Sequence, residues 1–142
     1  MSHFTVEELC ESDIAERAGI SNTPSPIVLV NLNTLIIGLE KVRELLGGKS
    51  IHINSGYRCP TLNRFIGGSA TSAHCLGFAA DFKCKDFGTP EEITQLIKDS
   101  GLKYDQLIYE GTWVHISIEP KMRQQTLTAT FKDGKASYSE FK

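Results

Sequence analysis

Residues 105–118 read Asp105-Gln106-Leu107-Ile108-Tyr109-Glu110-Gly111-Thr112-Trp113-Val114-His115-Ile116-Ser117-Ile118, two strand-like runs on either side of a glycine-first pair. Gly111-Thr112 has the composition favoured in a type II′ turn, so the segments 105–110 and 113–118 are expected to form a β-hairpin. A two-residue turn sets the register: Glu110 opposite Trp113, Tyr109 opposite Val114, Ile108 opposite His115. Leu107, Tyr109, Val114, Ile116 and Ile118 then share the apolar, buried face. Glu110, Trp113, His115 and Ser117 stand on the other, with Glu110 and His115 a diagonal pair about 7–8 Å apart at the backbone. The expected fold is therefore α+β: an antiparallel sheet with helices packed on one side and polar chemistry on the opposite side.

Working outward, the longest regular pattern lies upstream. From Ile27 to Leu46 apolar residues recur at positions 28, 32, 35, 36, 39, 42, 45 and 46, and Gly47-Gly48 closes the run, which predicts one long core-facing helix. Thr5-Val6-Glu7-Glu8-Leu9 begins a capped helix that Gly19 and the stretch 22–26 end. Ser50 to Asn54 alternates as a strand, a short helix follows Pro60 over 61–66, residues 69–77 read as loop, and 78–83 reads as a strand with Phe78, Ala80 and Phe82 facing the core. Thr89-Pro90-Glu91-Glu92 caps an amphipathic helix running to about Ser100. Residues 126–131 and 135–138 flank Asp133-Gly134 as a second hairpin. The resulting division is a single domain over 1–142, with an N-terminal helical arm 1–24, a core 25–118 and a C-terminal hairpin 119–142.

Composition narrows the function. The 142 residues are 40% hydrophobic and 23% charged, ordinary for one globular domain. Fifteen Lys and Arg against seventeen Asp and Glu give a net charge of −2, no field with which to hold a phosphate backbone, so nucleic acid is disfavoured as a partner. No apolar run reaches the roughly 18 residues of a spanning helix, and Met1 to Thr5 lacks the features of a secretory signal, so membrane insertion is not expected and the chain is placed in the cytoplasm of the producing cell. A monomer is the expected state. Cys10, Cys59, Cys75 and Cys84 include no CxxC pair and read as reduced thiols, with Cys75 beside His74 as a minor nucleophile alternative.

Two histidines sit among metal-compatible residues. In Ser72-Ala73-His74-Cys75-Leu76-Gly77-Phe78-Ala79-Ala80-Asp81 an imidazole in a loop precedes a carboxylate on a strand, and Asp81 shares its strand face with the small Ala79. Taken alone, this His and Asp read more readily as a surface loop histidine and a solvated strand charge. His115 on the hairpin's polar face adds a third ligand, and catalytic zinc commonly takes three His or carboxylate ligands plus water, with a nearby glutamate as base. His74, Asp81 and His115 are thus candidate ligands and Glu110 the candidate base. Arg58, in the turn Ser55-Gly56-Tyr57-Arg58, offers a planar fork suited to a carboxylate or an oxyanion, or else a local surface ion pair. Trp113 either lines the cleft or covers the sheet edge.

These residues carry a resemblance. SxHxxGxAxD is complete as Ser72, His74, Gly77, Ala79 and Asp81; SGYR is complete as Ser55 to Arg58; Trp113-Val114-His115 resembles a closing WxH signature. From about Phe4 to Ile118 the chain resembles the zinc D-alanyl-D-alanine carboxypeptidases and L-alanyl-D-glutamate endopeptidases, metallopeptidase family fifteen, whose fold is shared with the Hedgehog signalling domain. Residues 63–72 resemble a carboxypeptidase-like branch common in phage genomes. The resemblance implies zinc on His74, Asp81 and His115, Glu110 as general base and acid, Arg58 as a catalytic residue steadying substrate or transition state, and Ser72, Arg58 and Trp113 toward the substrate. It implies a metallopeptidase acting on peptidoglycan stem peptides, of the D,D-carboxypeptidase or L,D-endopeptidase type, in the manner of a phage endolysin reaching the cell wall after holin-type release. One slot departs from the family: the glutamate expected three residues before the last histidine is Thr112 here, and Glu110 stands five before, with Asp105 and Glu119 as weaker substitutes. That displacement motivates the alternative of a non-catalytic virion or cell-wall binding protein that keeps the zinc site.

Overall fold

Ser25 starts the longest helix: its hydroxyl accepts the Val28 N–H and Pro26 occupies the first helical position. This helix and the other elements are those of a computed structural model, which describes residues 3–142; the first two residues of the arm 1–24 lie outside the described residues. In chain order the helices are α1 Val6–Cys10, α2 Asp13–Ala18, α3 Pro26–Leu45, α4 Pro60–Phe65 and α5 Pro90–Asp99. The strands are β1 His52–Ser55, β2 Ala79–Lys83, β3 Gln106–Tyr109, β4 Val114–Ser117, β5 Gln125–Lys132 and β6 Lys135–Glu140. Along α3, Val28, Leu32, Leu35, Leu39 and Val42 form the buried stripe, spaced by fours and threes. Gly38 in the same stripe lets the helix lie against the sheet, because a Cβ there would overlap the Ile118 side chain.

The arm differs from its expected single helix. Ser12 accepts the Ala15 N–H at 3.1 Å and opens a second helix, so the chain breaks between α1 and α2 before Gly19, at φ 69°, ends the latter. Residues 69–77 are not all loop either, since Ala73–Leu76 form a short 3-10 helix capped by Ser72. Phe78 precedes β2 and is half-buried rather than in the core; its carbonyl accepts the Ile118 N–H at 2.8 Å.

The six strands form one sheet in the order β1-β2-β4-β3-β5-β6. Every ladder is antiparallel except β3 with β5, so the α+β fold carries a mixed sheet where the sequence predicts an antiparallel one. Its apolar face, with Ala80, Phe82, Leu107, Val114 and Ile116, packs into one core with the buried stripe of α3 and with Ile93 and Ile97 of α5. β3 and β4 pair in the expected register. Their turn is tighter than type II′: the Thr112 N–H donates to the Glu110 carbonyl at 3.0 Å across Gly111, whose φ is 84°. The Asp133-Gly134 turn between β5 and β6 has φ of 52° and 76°, the positive pair of a type I′ hairpin.

The parallel pairing has a local cause. Buried Asp105 precedes β3 and receives Arg123, just ahead of β5, through its backbone N–H and guanidinium at 2.8–2.9 Å. The Gln125 N–H donates to the Asp105 carbonyl at 2.9 Å, so the two strands start side by side. Hydrogen bonds from Arg123, outweighing the penalty of burial, hold the Asp105 carboxyl below its usual range. Arg123→Ala leaves that buried anion with only the backbone N–H of residue 123; because the guanidinium it loses is 41% exposed, the expected cost is about 1.5 kcal/mol at neutral pH. A depressed carboxylate contributes its stability above the unfolded-state value of about 3.9 and loses it as pH falls through the folded value. Urea denaturation should therefore show a wide gap between wild type and Arg123→Ala at pH 7 that narrows at pH 3; an unchanged gap would refute this role. Among the described residues, no helix is long and apolar enough to cross a membrane.

Candidate metal centre

Asp81 on β2 lies directly opposite His115 on β4, so strand register alone puts a carboxylate and an imidazole side by side on the face turned away from α3 and α5. The His115 Nδ1 stands 2.9 Å from Asp81 Oδ1. His74 arrives from outside the sheet, on the 3-10 helix that Ser72 caps and Gly77, at φ 78°, ends. Gly77 also rests against α3: a Cβ there would press on the Val28 and Leu32 side chains and the Val28 carbonyl at 3.0–3.2 Å. The turn holds His74 with its Nε2 3.3 Å from the same Asp81 oxygen. The two imidazoles meet edge to face with centroids 5.1 Å apart, and the three ligand atoms all lie within 4.8 Å of one another.

The donor set suits a divalent ion. Ligand atoms about 2.0–2.2 Å from a tetrahedral zinc stand about 3.3 Å apart, the separation found between His74 Nε2 and Asp81 Oδ1. His74 Nδ1–H donates to the Gly56 carbonyl at 2.7 Å, which fixes the tautomer and leaves Nε2 with its lone pair toward Asp81. Burial, only partly opposed by the Asp81 charge, pushes the His74 pKa down and keeps the ring neutral, the form that ligates. At Asp81 burial opposes ionisation, yet the two imidazoles beside it, His115 by a hydrogen bond at 2.9 Å, win and hold the carboxyl well below the ordinary range. Burial also lowers His115, but the hydrogen bond and charge of Asp81 with the charge of Glu110 outweigh it, and its pKa rises. The proton shared between His115 and Asp81 is the one an ion would displace.

Glu110 closes one side of this centre. The Trp113 indole N–H donates to Glu110 Oε2 at 2.9 Å across the tight turn, which leaves Oε1 outside that bond. Burial first, then the Asp81 charge, raise the Glu110 pKa above its ordinary value. Trp113 thus holds Glu110 by its nitrogen and is itself only partly buried. On another side, Arg58 Nη2 donates to Ser72 Oγ at 3.2 Å while its buried Nε meets no acceptor. Ser72 Oγ also accepts the His74 N–H at 3.2 Å, and the Arg58 N–H donates to the His74 carbonyl at 3.1 Å, so guanidinium and imidazole share one scaffold.

The remaining candidates fall elsewhere. Asp105 serves Arg123, and Glu119 lies 3.9 Å from Lys121. Burial pushes the Cys75 thiol up despite the Arg58 charge, the opposite of an activated nucleophile.

A model of the peptidase M15 family matches residues 2–117. The chain belongs to the peptidase M15 family. A zinc D-Ala-D-Ala carboxypeptidase of Streptomyces albus G is 35% identical over 81 residues, 56% of this chain and 30% of that protein. A molybdenum cofactor sulfurase of Aspergillus oryzae is 31% identical over 96 residues, 61% of this chain and 11% of that protein. The chain thus spans less than a third of the length of either curated relative.

Within this member of the M15 family, two features escape a reading of residue types. Gly56 orients His74 by its carbonyl, and only glycine fits there, because a Cβ would run into the Leu9 backbone of α1. The grip of Trp113 on Glu110 was latent in the hairpin register, which sets the two opposite each other.

Proposed function

We propose that this M15 peptidase is a zinc-dependent hydrolase of amide bonds in peptidoglycan stem peptides, of the D-Ala-D-Ala carboxypeptidase type. The observation that carries the reading is the convergence of His74, Asp81 and His115 on one point with Glu110 beside it. Zinc, when bound by these three side chains, supplies Lewis acidity toward a carbonyl and a water of lowered pKa. Glu110 takes the proton of the attacking water at Oε1 and returns it to the departing amine, a task its raised pKa suits because the group must both accept and release. Trp113 keeps the carboxylate aimed during both transfers. Arg58, with its Nε unpaired, offers a charged donor to the negative charge that develops on the carbonyl oxygen or to a substrate carboxylate. Ser72 steadies Arg58 and His74 together. The resemblance of residues 63–72 to a phage-borne branch makes a lysis enzyme the setting we infer.

Mass spectrometry of muropeptides tests this directly. Zinc-loaded protein should release D-alanine or cut the stem peptide, a chelator should reduce product to background, and added zinc should restore it. Stoichiometric zinc with no product at any pH would replace the proposal with a binding protein that keeps the centre.

A further inference from the structure

Beyond residue 117, where the family match ends, the chain adds β5 and β6 to the β3 edge of the sheet. How this hairpin is mounted decides which of its side chains look toward the metal centre. Phe141 is buried, 3% exposed, against Tyr109 at 6.2 Å between ring centroids, with the Lys98 ammonium of α5 5.7 Å from its ring, so it lies on the helix side of the sheet. The Phe141 N–H donates to the Thr126 carbonyl at 3.0 Å, which fixes the end of β6 in register. Alternation then turns position 138 to the opposite face. The ladders agree: Ile108 shares a face with His115 and with Leu127, Ala129 follows Leu127 on that face, and Ala129 pairs with Tyr138. Tyr138 is thus on the same face as Asp81, His115 and Glu110, and it is 55% exposed although it is a large aromatic residue. Between it and Glu110 stands only the small Ala129, over which the ring can lean.

We infer that Tyr138 forms the outer wall of the cleft on the Glu110 side and contacts the substrate peptide several residues away from the scissile bond. This rests on the peptidase reading above and specifies its substrate: a peptide, not a dipeptide. Strands about 4.8 Å apart put the β6 backbone about 14 Å from that of β4, which carries His115. At about 3.3 Å per extended residue, a chain leaving the reacting carbonyl needs about four residues to cover that distance. A flat aromatic face on an exposed strand suits peptide backbone and small side chains, and the phenol adds one hydrogen-bond donor. Burial first, then the negative charges of Glu110 and Asp81, raise the Tyr138 pKa, as expected for a phenol on their face of the sheet.

Steady-state kinetics of the zinc-loaded enzyme on two substrates test the inference, one being the shortest peptide with the cleaved bond and the other the same peptide extended by four residues. Tyr138→Ala should lower kcat/KM for the long peptide about tenfold, through KM, and by less than twofold for the short one. Tyr138→Phe should keep most of the long-peptide rate. The fluorescence of Trp113, the only tryptophan, gives the long peptide's affinity independently of turnover and should weaken in parallel. Equal losses on both peptides, or none on either, overturn the inference while leaving the hydrolase reading intact. If wild type cleaves neither, both fail together. Should Tyr138→Ala lose its cooperative melt, Tyr138→Leu keeps apolar bulk on the strand and gives the same comparison.

Discussion

Asp81→Asn is expected to reduce hydrolysis to background and to weaken zinc binding by at least about 100-fold. Asp81 is the centre of the constellation, since the same carboxylate oxygen lies 3.3 Å from His74 and 2.9 Å from His115. Its anionic form is what the buried site is built to keep. The amide is nearly isosteric but neutral, so an ion would have to enter a buried pocket with two neutral imidazoles and no anionic ligand. Losing even a partner that merely orients a ligand costs about 10–100-fold in metal affinity, and Asp81 is itself a ligand in this reading. Metal content after dialysis, read beside the circular dichroism melt, separates loss of the ion from loss of the fold. Full zinc occupancy with activity within tenfold of wild type would remove Asp81 from the centre.

Glu110→Gln should behave in the complementary way: zinc content and KM near wild type, and kcat lower by about 1,000-fold. A positioned acid-base group contributes about 10²–10⁴ in rate, and three decades correspond to about 4 kcal/mol of transition-state stabilisation. Glutamine preserves the volume and can still accept the Trp113 N–H through its carbonyl oxygen, so the local geometry is kept while proton transfer is lost. Single-turnover measurement on a stem peptide is the decisive assay. A kcat within tenfold of wild type would show that the proton passes elsewhere and that the displaced glutamate, five residues ahead of His115, is not the base.

The two replacements probe parts of the site that were unequally legible. The face carrying Glu110, Trp113 and His115 can be read from residues 105–118 because a two-residue connection leaves one register, and the apolar alternation of Leu107, Tyr109, Val114 and Ile116 says which side is buried. Asp81 could be assigned to a strand face from the small Ala79 beside it. Its position opposite His115 is a pairing between strands 34 residues apart in sequence, which no local pattern encodes. His74 was readable as a residue type in a loop. Its aim depends on a 3-10 helix, on the Gly56 carbonyl and on the close approach of Leu9 to Gly56, three segments that meet only in the folded chain.

By itself, the sequence determined the long α3 helix, the capped α5 helix, both hairpins and the residue types of the centre, since periodicity, caps and turn residues act over a few positions along the chain. Only the tertiary structure decided that the second hairpin joins β3 in parallel, that Arg123 is bound by Asp105 to make this possible, and that Tyr138 consequently shares the sheet face of Glu110, beyond Ala129. The physical reason is that pairing between distant strands is selected by what each edge can bury and which buried charge must find its partner. Those quantities do not exist until the whole chain has closed around its core.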